Sequence, residues 1–386
     1  MAVAIEVVLT LLALSGMAFL VLALWGARDF VRSLSTARKG EACAPDVTIL
    51  KPVKGVDLRM YAGFVSHCRQ EYAGAFELVF GVSSLEDSAV AEVERLRAEF
   101  PGVSIRLVEC RERLGSSGKV SNLVQMLREA RYQHIIINDS DIVVGPRYLE
   151  RVMTAFGDPS VGMVTAPYIG RTAEKGATLW ARLEALGIST EFFAGVLTAR
   201  RLESGIRFGL GSTLATTKTA LAAIGGLETL VESLADDYEM GARIAALGMR
   251  VELCREVVET AVPAYGFRGF WEHQMRWARS TRDSRQWGYV GLGVTYALPW
   301  AMLACVASGF ALWGFAMMSL ALLARVSVAL AVGVGVLGDE QVLRDLWLLP
   351  VRDCFALAVW VWSFAADTVV WRGERFRLKK GRLEPL

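Results

Sequence analysis

The sequence predicts an α/β domain built on a doubly wound, mostly parallel sheet, set between apolar segments long enough to cross a membrane. Three observations carry this. Apolar runs alternate with helical periodicity between residues 47 and 142, the pattern of consecutive βαβ units. One of those runs, Ile135-Ile136-Ile137, is continuous and β-branched, as in a strand buried on both faces. Both ends of the chain are strongly apolar, which lifts the hydrophobic share to 53% and the mean hydropathy to +0.37.

With 386 residues the chain has room for one large domain or two and for a sizeable core. Lysine and arginine (42) nearly balance aspartate and glutamate (40), which argues against bulk nucleic-acid binding. The six cysteines, at 43, 68, 110, 254, 305 and 354, form no Cys-x-x-Cys pair and have no histidine at ligand spacing. They read as thiols in a reducing compartment. No protein partner is evident in the sequence.

Residues 2–27 are apolar except for Glu6 and form an uncleaved anchor, because the basic residues Arg28, Arg32, Arg38 and Lys39 follow the run rather than precede it. Positive charge on that side places the next domain in the cytoplasm. Residues 290–337 carry a single charge, Arg325, and are about twice the length of one span, so a helical hairpin is expected. Arg325 then faces protein or a polar cavity. Residues 346–371 are interrupted by Arg352 and Asp353, which leaves a span, a re-entrant element and an interfacial helix all open. The tail, residues 371–380, is basic and aromatic, suits a cytoplasmic membrane surface, and favours an even number of crossings after the soluble domain.

In the middle, residues 47–50 form a short strand that breaks at Lys51-Pro52-Val53-Lys54-Gly55, where two lysines on a turn either touch a nucleotide or are simply solvated. A helix over 58–69 leads to a strand over 76–82. Asp87 then caps a helix over 88–100. After a strand at 105–108, the small-residue loop 115–122 enters a helix over 123–130. Free amides, flexible backbone and Lys119 make that loop an anion cradle without Walker spacing. Asp139 and Asp141 stand just beyond the triple-isoleucine strand, at the edge where open α/β sheets bind ligands. Carboxylates at i and i+2 can converge on a hard divalent cation that bridges phosphates.

Beyond them a strand is expected at 161–166. Residues 172–202 read as a long helix with an apolar stripe, either core or interfacial. The loop 209–213 is weak as a phosphate site. Asp236 and Asp237 open a helix over 240–247, where acids usually serve the helix dipole. His273, Gln274, Arg276, Trp277, Arg279, Arg282 and Arg285 lie at helical spacing within 270–287, as on an amphipathic helix at the membrane surface.

Together these motifs resemble inverting, membrane-bound glycosyltransferases of the ceramide glucosyltransferase type (family 21), and the bacterial hopanoid-associated glycosyltransferases are similar. The resemblance rests on Leu50-Lys51-Pro52-Val53-Lys54-Gly55-Val56-Asp57, the Asp87 loop, Lys119-Val120-Ser121-Asn122-Leu123, Asp139-Ser140-Asp141, Asp237-Tyr238, Arg276-Trp277 and Trp371-Arg372-Gly373. It implies a Rossmann-like, GT-A type domain at 45–265 that includes the 172–202 helix. It further implies an interfacial helix at 266–288, a C-terminal membrane region at 289–371 and a basic tail at 372–386.

By that resemblance Asp87 contacts the nucleotide's uracil or ribose, and Lys119 contacts the diphosphate. Lys51, Pro52, Lys54, Asp139 and Asp236 line the donor site, and Asp139 with Asp141 holds Mn²⁺ or Mg²⁺. Asp237 is the general base. Arg276 and Trp277 belong to a Gln/Arg-x-x-Arg-Trp motif whose first position is His273 here, with Gln274 one place late. Asp141 also departs from the animal enzymes, which have glycine there. The implied reaction moves glucose from UDP-glucose to the primary hydroxyl of ceramide at a bacterial inner membrane. A UDP-N-acetylglucosamine-dependent hopanoid or other lipid glycosyltransferase and an inactive nucleotide-binding membrane scaffold are the alternatives.

Overall fold

A computed structural model describes residues 2–36, 43–173, 176–371, 374–379 and 381–385. Arg38, Lys39, Arg372, Gly373 and Lys380, used in the sequence reading, lie outside the described residues. The chain opens with α1 (Ala2–Thr36), then forms β1 (Val47–Pro52), α2 (Met60–Cys68), β2 (Phe76–Val82), α3 (Ala89–Glu99), β3 (Ser104–Glu109) and α4 (Gly118–Glu129). Next come β4 (His134–Ile137), α5 (Tyr148–Met153), β5 (Val161–Thr165) and β6 (Tyr168–Arg171). A π-helical turn, Ile188–Phe192, joins α6 (Leu179–Gly187) to α7 (Phe193–Leu202). β7 (Leu214–Thr217), α8 (Lys218–Ala223), α9 (Asp236–Ala246), β8 (Arg250–Leu253) and β9 (Val258–Ala261) follow. The remainder holds α10 (Phe267–Ser284), α11 (Gln286–Gly291), α12 (Ala297–Ala307), α13 (Leu312–Val328), α14 (Gln341–Asp345) and α15 (Leu349–Ser363). Three strands close the described chain: β10 (Thr368–Trp371), β11 (Glu374–Lys379) and β12 (Arg382–Pro385).

These elements form two compact units. The sheet unit comprises Arg38–Arg171, Gly205–Ala261 and Gly381–Leu386. Its seven strands are ordered β3-β2-β1-β4-β7-β5-β8. β1 pairs in parallel with β2 and β4, β2 with β3, and β5 with β8. β7 runs antiparallel to both β4 and β5, so the sheet is mostly parallel, as expected, with one reversed strand the sequence reading lacked. Burial follows position: every residue of β1 is buried, whereas the edge strand β3 is half-buried throughout. Phe64 of α2 meets Phe80 of β2 edge-on at 4.6 Å in the core on that face. β1 extends to Pro52, which pairs with Gly81. The apolar run alone would end it at Leu50.

The helical unit comprises Met1–Ala37, Thr172–Ser204 and Val262–Lys380. Residues 172–204 thus cluster with the terminal helices, not with the sheet domain to which the sequence boundaries gave them. Buried Leu183, Leu186, Ile188, Phe193, Val196 and Leu197 anchor the α6–α7 segment there. Its helix starts at Leu179, where Thr178 Oγ1 accepts a capping bond from Ala181 N (3.2 Å). α1 approaches its neighbours closely: a Cβ on Gly16 would lie 2.5 Å from Ala297 Cα, and one on Gly26 2.7 Å from Leu197 O. Small residues at such contacts are the usual device of membrane helices.

Among the described residues, Val3–Ser33, Leu312–Val336 and Gln341–Ser363 are long and apolar enough to cross a membrane. The pair Gln286–Thr295 and Ala297–Ala307 adds a fourth segment, bent by 51°. Arg325 is buried and faces protein, as its position demanded. Its Nε lies 2.9 Å from Asp353 Oδ2, and Nη1 and Nη2 donate to Thr190 O and Oγ1. The basic residues near the end of α10 also serve protein groups. Arg279 and Arg282 donate to the carbonyls of Thr368 and Ser363, and Arg285 pairs with Glu203 at 2.7 Å. The last carbonyls of a helix such as α15 lack intrahelical donors, and the guanidinium of Arg282 supplies one. The basic tail forms an antiparallel β10–β11 hairpin, with Phe376 and Leu378 buried and Arg375, Arg377 and Lys379 exposed.

Candidate active site

Three segments of the sheet unit converge. β4 ends at Ile137, and Asp139 follows in the loop beyond it. α4 begins at Gly118, earlier than the expected 123, because Ser117 Oγ caps it through Val120 N (3.3 Å). That places Lys119 in the first turn, with Nζ 2.9 Å from Asp139 Oδ1 and 3.4 Å from Asp236 Oδ2. Asp236 opens α9 and its side chain is 8% exposed, whereas Asp139 is 45% exposed and accessible to a ligand. Asp237 is partly buried beside it, and its Oδ1 accepts from Tyr238 N (2.8 Å).

Electrostatics bind this group together. Burial penalises the Lys119 ammonium, but the carboxylates of Asp139, Asp236 and Asp237 outweigh that effect and raise its pKa. Burial, then the charge of Asp236, pushes the Asp237 carboxyl up to about 6. Asp236 is likewise raised, chiefly by burial.

The anion cradle needs correction. Ser116 N donates to Glu232 Oε1 (3.2 Å) and Ser117 N to Val231 O (2.8 Å), so these two amides are committed within the protein. Lys119 is what the loop offers. Asp87 is the cap the local sequence indicated: Oδ1 accepts from Ala89 N (2.9 Å). It also accepts from Gly55 N (2.8 Å), which pins the loop carrying Lys54. Lys54 is exposed, and Pro52 is buried in β1. Lys51 does not sit on a solvated turn. It is wholly buried, its Nζ donates to Asp139 O (3.0 Å), and burial lowers its pKa to about 7.

Asp141 turns to the far end of β9, where Oδ2 accepts from Thr260 Oγ1 and Ala261 N, both at 2.7 Å. Burial raises its pKa. Among the described residues no three His, Cys, Asp or Glu side chains gather as a ready-made metal cage. Mg²⁺ and Mn²⁺ sites that use one or two carboxylates, with waters and substrate phosphates completing the shell, do not need one. Three carboxylates, Asp139, Asp236 and Asp237, act on Lys119, which leaves this cluster acidic and open to added positive charge. The residues present fit such an ion.

Sequence reasoning missed the buried network behind Asp139. Asn138 Nδ2 donates to Ser212 O (2.7 Å) and lies within reach of Tyr148 Oη (3.0 Å) and Thr213 Oγ1 (3.2 Å), while Oδ1 faces His67 Nε2 at 3.3 Å. One side chain therefore ties β4 to the loop before β7. Its only sequence signal is a polar residue closing an apolar strand.

His273, Gln274, Arg276 and Trp277 lie on α10 of the helical unit. His273 Nδ1 is 2.9 Å from Glu184 Oε1 and Gln274 Nε2 is 3.1 Å from Oε2, so both reach one carboxylate. Trp277 lies 4.7 Å from the His273 ring, and Arg276 is partly buried. Burial would raise Glu184, but the bonds from His273, Tyr265 and Gln274 outweigh it and hold its pKa down. In the sequence, Glu184 stands out as an acid inside an otherwise apolar helical stripe.

The sequence model of glycosyl transferase family 21 matches residues 8–384. Ceramide glucosyltransferase 1 of Caenorhabditis elegans is 28% identical over 211 residues, 54% of this chain and 44% of that protein. Ceramide glucosyltransferase 3 of the same organism is 26% identical over 243 residues, 62% of this chain and 51% of its own length. The chain thus spans about half the length of these relatives. A mannosyltransferase from Pyrobaculum calidifontis, PcManGT, solved in complex with GDP-Man and Mn²⁺, shares the fold at a TM-score of 0.54 and 20% identity, covering 94% of this chain and 99% of that one. With the mostly parallel sheet, the membrane-length helices and a family match across nearly the whole sequence, the chain belongs to glycosyl transferase family 21.

Proposed function

We propose that the protein transfers glucose from UDP-glucose to the primary hydroxyl of ceramide, inverting the anomeric centre to give β-glucosylceramide. The cluster of Lys119, Asp139, Asp236 and Asp237 at the ligand edge of the sheet carries this reading. Family membership and the ceramide glucosyltransferase relatives support the choice of donor and acceptor.

In this mechanism Lys119 neutralises charge that develops on the departing diphosphate. Asp87 and the loop bearing Lys54 bind the nucleotide. Asp139 and Asp141 would hold Mn²⁺ or Mg²⁺, which would supply Lewis-acid countercharge to the leaving group. An alcohol is a weak nucleophile at neutral pH, so Asp237 takes its proton as attack occurs, a contribution of roughly 10²–10⁴-fold. A carboxyl pushed up to about 6 remains ionised at neutral pH while being a stronger base than an ordinary aspartate. Asp236 keeps Lys119 in register. We place the sheet unit in the cytoplasm of a bacterial inner-membrane protein, a reading supported by Arg28 and Arg32 following the apolar run of α1.

The test is purified protein with labelled UDP-glucose or UDP-N-acetylglucosamine and a panel of ceramide, hopanoid polyol and diacylglycerol, read by mass spectrometry. Glucosylceramide is the expected product. N-acetylglucosamine on a hopanoid would replace both donor and acceptor in the proposal. Intact nucleotide binding with no transfer to any lipid would mark an inactive scaffold.

A further inference from the structure

The chain leaves α15 at Ser363 and enters β10 five residues later, at Thr368. Even a fully extended link would keep the hairpin within about 18 Å of the helix end. Two arginines of α10 hold it there. Arg282 donates to Ser363 O and to Ala366 O (3.3 Å) and pairs with Asp367, while Arg279 donates to Thr368 O. Leu378 N donates to Asp367 O (2.7 Å), which ties β11 to the same corner. The hairpin is thus fixed at the end of Gln341–Ser363, a segment long and apolar enough to cross a membrane. Trp362 is 60% exposed at that end, and tryptophan collects where membrane meets water.

The pleat sorts the hairpin into two faces. Val369 pairs with Phe376 on the buried face, beside Leu378. The pairs Thr368–Arg377 and Val370–Arg375 lie on the opposite face with Lys379, and all five of these residues are exposed. Among the described residues neither Arg375 nor Arg377 has an ion-pair partner. The contrast with α10 is informative, because Arg279, Arg282 and Arg285 are all engaged by protein groups. The basic groups left to meet an anion at this end of α15 are therefore on the hairpin. A valine set opposite an arginine on an outward face gains little in water. In a headgroup layer, where phosphates overlie the first methylenes, each has a counterpart.

We infer that the outer face of the β10–β11 hairpin binds the anionic phospholipid headgroups of the membrane, with Arg375 and Arg377 on the phosphates and Val370 in the layer beneath them. Attraction to such a surface falls off within a Debye length, about 8–10 Å. A face clamped to the end of a membrane-length helix holds its charge within that range. Lipid binding here is independent of which sugar donor or acceptor the protein uses.

In the experiment, full-length protein in a neutral detergent is titrated with phosphatidylglycerol and, separately, with phosphatidylcholine, and native mass spectrometry counts bound lipids and protomers. Wild type is compared with Arg375→Gln/Arg377→Gln and with Arg111→Gln/Arg128→Gln, a remote pair of exposed arginines whose loss removes the same charge. The hairpin variant should lose phosphatidylglycerol affinity roughly 25-fold, about fivefold for each basic side chain at an anionic surface. The control should stay within about twofold of wild type, and thermal unfolding of all three should coincide. The wild-type preference for phosphatidylglycerol over phosphatidylcholine should fade as salt rises from about 50 to 500 mM. Should the glutamine pair not fold, Val370→Glu adds one negative charge to the same face and should weaken phosphatidylglycerol binding about fivefold. Equal affinity in wild type and hairpin variant, an equal loss in the remote control, or no wild-type preference for phosphatidylglycerol would overturn the assignment. A wild-type dimer that the hairpin variant loses, with phosphatidylglycerol binding intact, would give the face to a second copy of the chain and overturn it too.

Discussion

Lys119 Nζ lies 2.9 Å from Asp139 Oδ1, joining the first turn of α4 to the loop beyond β4. Because the lysine also reaches Asp236, it is the counter-charge for two carboxylates from separate elements. Lys119→Met should weaken nucleotide-sugar binding at least tenfold. It should also lower unfolding stability by about 3 kcal/mol, the scale for leaving a mostly buried partner charge uncompensated. Binding titration and thermal unfolding in detergent measure the two effects. Unchanged donor affinity would remove Lys119 from the diphosphate role.

As the proposed base, Asp237 works only when ionised, and its carboxyl is pushed up to about 6. The acidic limb of kcat/KM should therefore fall as pH drops through about 6, higher than for an ordinary aspartate. Asp237→Asn should reduce turnover roughly 10²–10⁴-fold while sparing donor binding. A profile flat down to pH 5, or near-normal turnover of the asparagine variant, would exclude Asp237 as the base.

Asp141 gives one oxygen to Thr260 and Ala261, and an asparagine can still accept those bonds. Asp141→Asn should fold normally yet need more Mn²⁺ or Mg²⁺ for half-maximal activity. Chelation should abolish wild-type transfer, and either ion should restore it. Activity that survives chelation, or an unchanged metal requirement in the variant, would count against this pair as ligands.

How much of this could be read from the chain varies with the physics involved. Ile135-Ile136-Ile137 announces a buried strand because β-branched runs have few other uses, and Asp139 follows from it. Asp87 reads correctly as a cap because capping is local. β7 is silent: Leu214-Ala215-Thr216-Thr217 is too short and too small for any periodicity, and only its neighbours on both sides make it a strand. Lys51 misleads because a lysine before proline looks like a turn, while its burial depends on a β1 that runs two residues further. The allegiance of residues 172–204 is equally hidden, since an apolar stripe does not say what covers it.

Within the helical unit, Arg325 and Asp353 are each less than 10% exposed, and the arginine also serves both Thr190 oxygens. Arg325→Leu should destabilise the detergent-solubilised protein by about 3–5 kcal/mol, because Asp353 is left charged and unpaired. Adding Asp353→Leu should recover much of that loss. A double variant no more stable than the single one would mean the pair does not act as a unit.

The strand β12 has a consequence of timing. Ser116, two residues before Gly118 opens α4, donates its hydroxyl to Leu383 O (3.2 Å), a partner 267 residues further along the chain. Glu232 takes part at both ends: its carboxylate receives Ser116 N, and its carbonyl receives Leu383 N (2.8 Å). On the ribosome, every other element of the sheet domain emerges before this brace exists. The loop that presents Lys119 therefore waits, incompletely anchored, until residues 382–385 have been made and have returned to it. A variant whose β12 cannot pair with this loop keeps the carboxylates and the lysine but loses a tie to the segment that presents them.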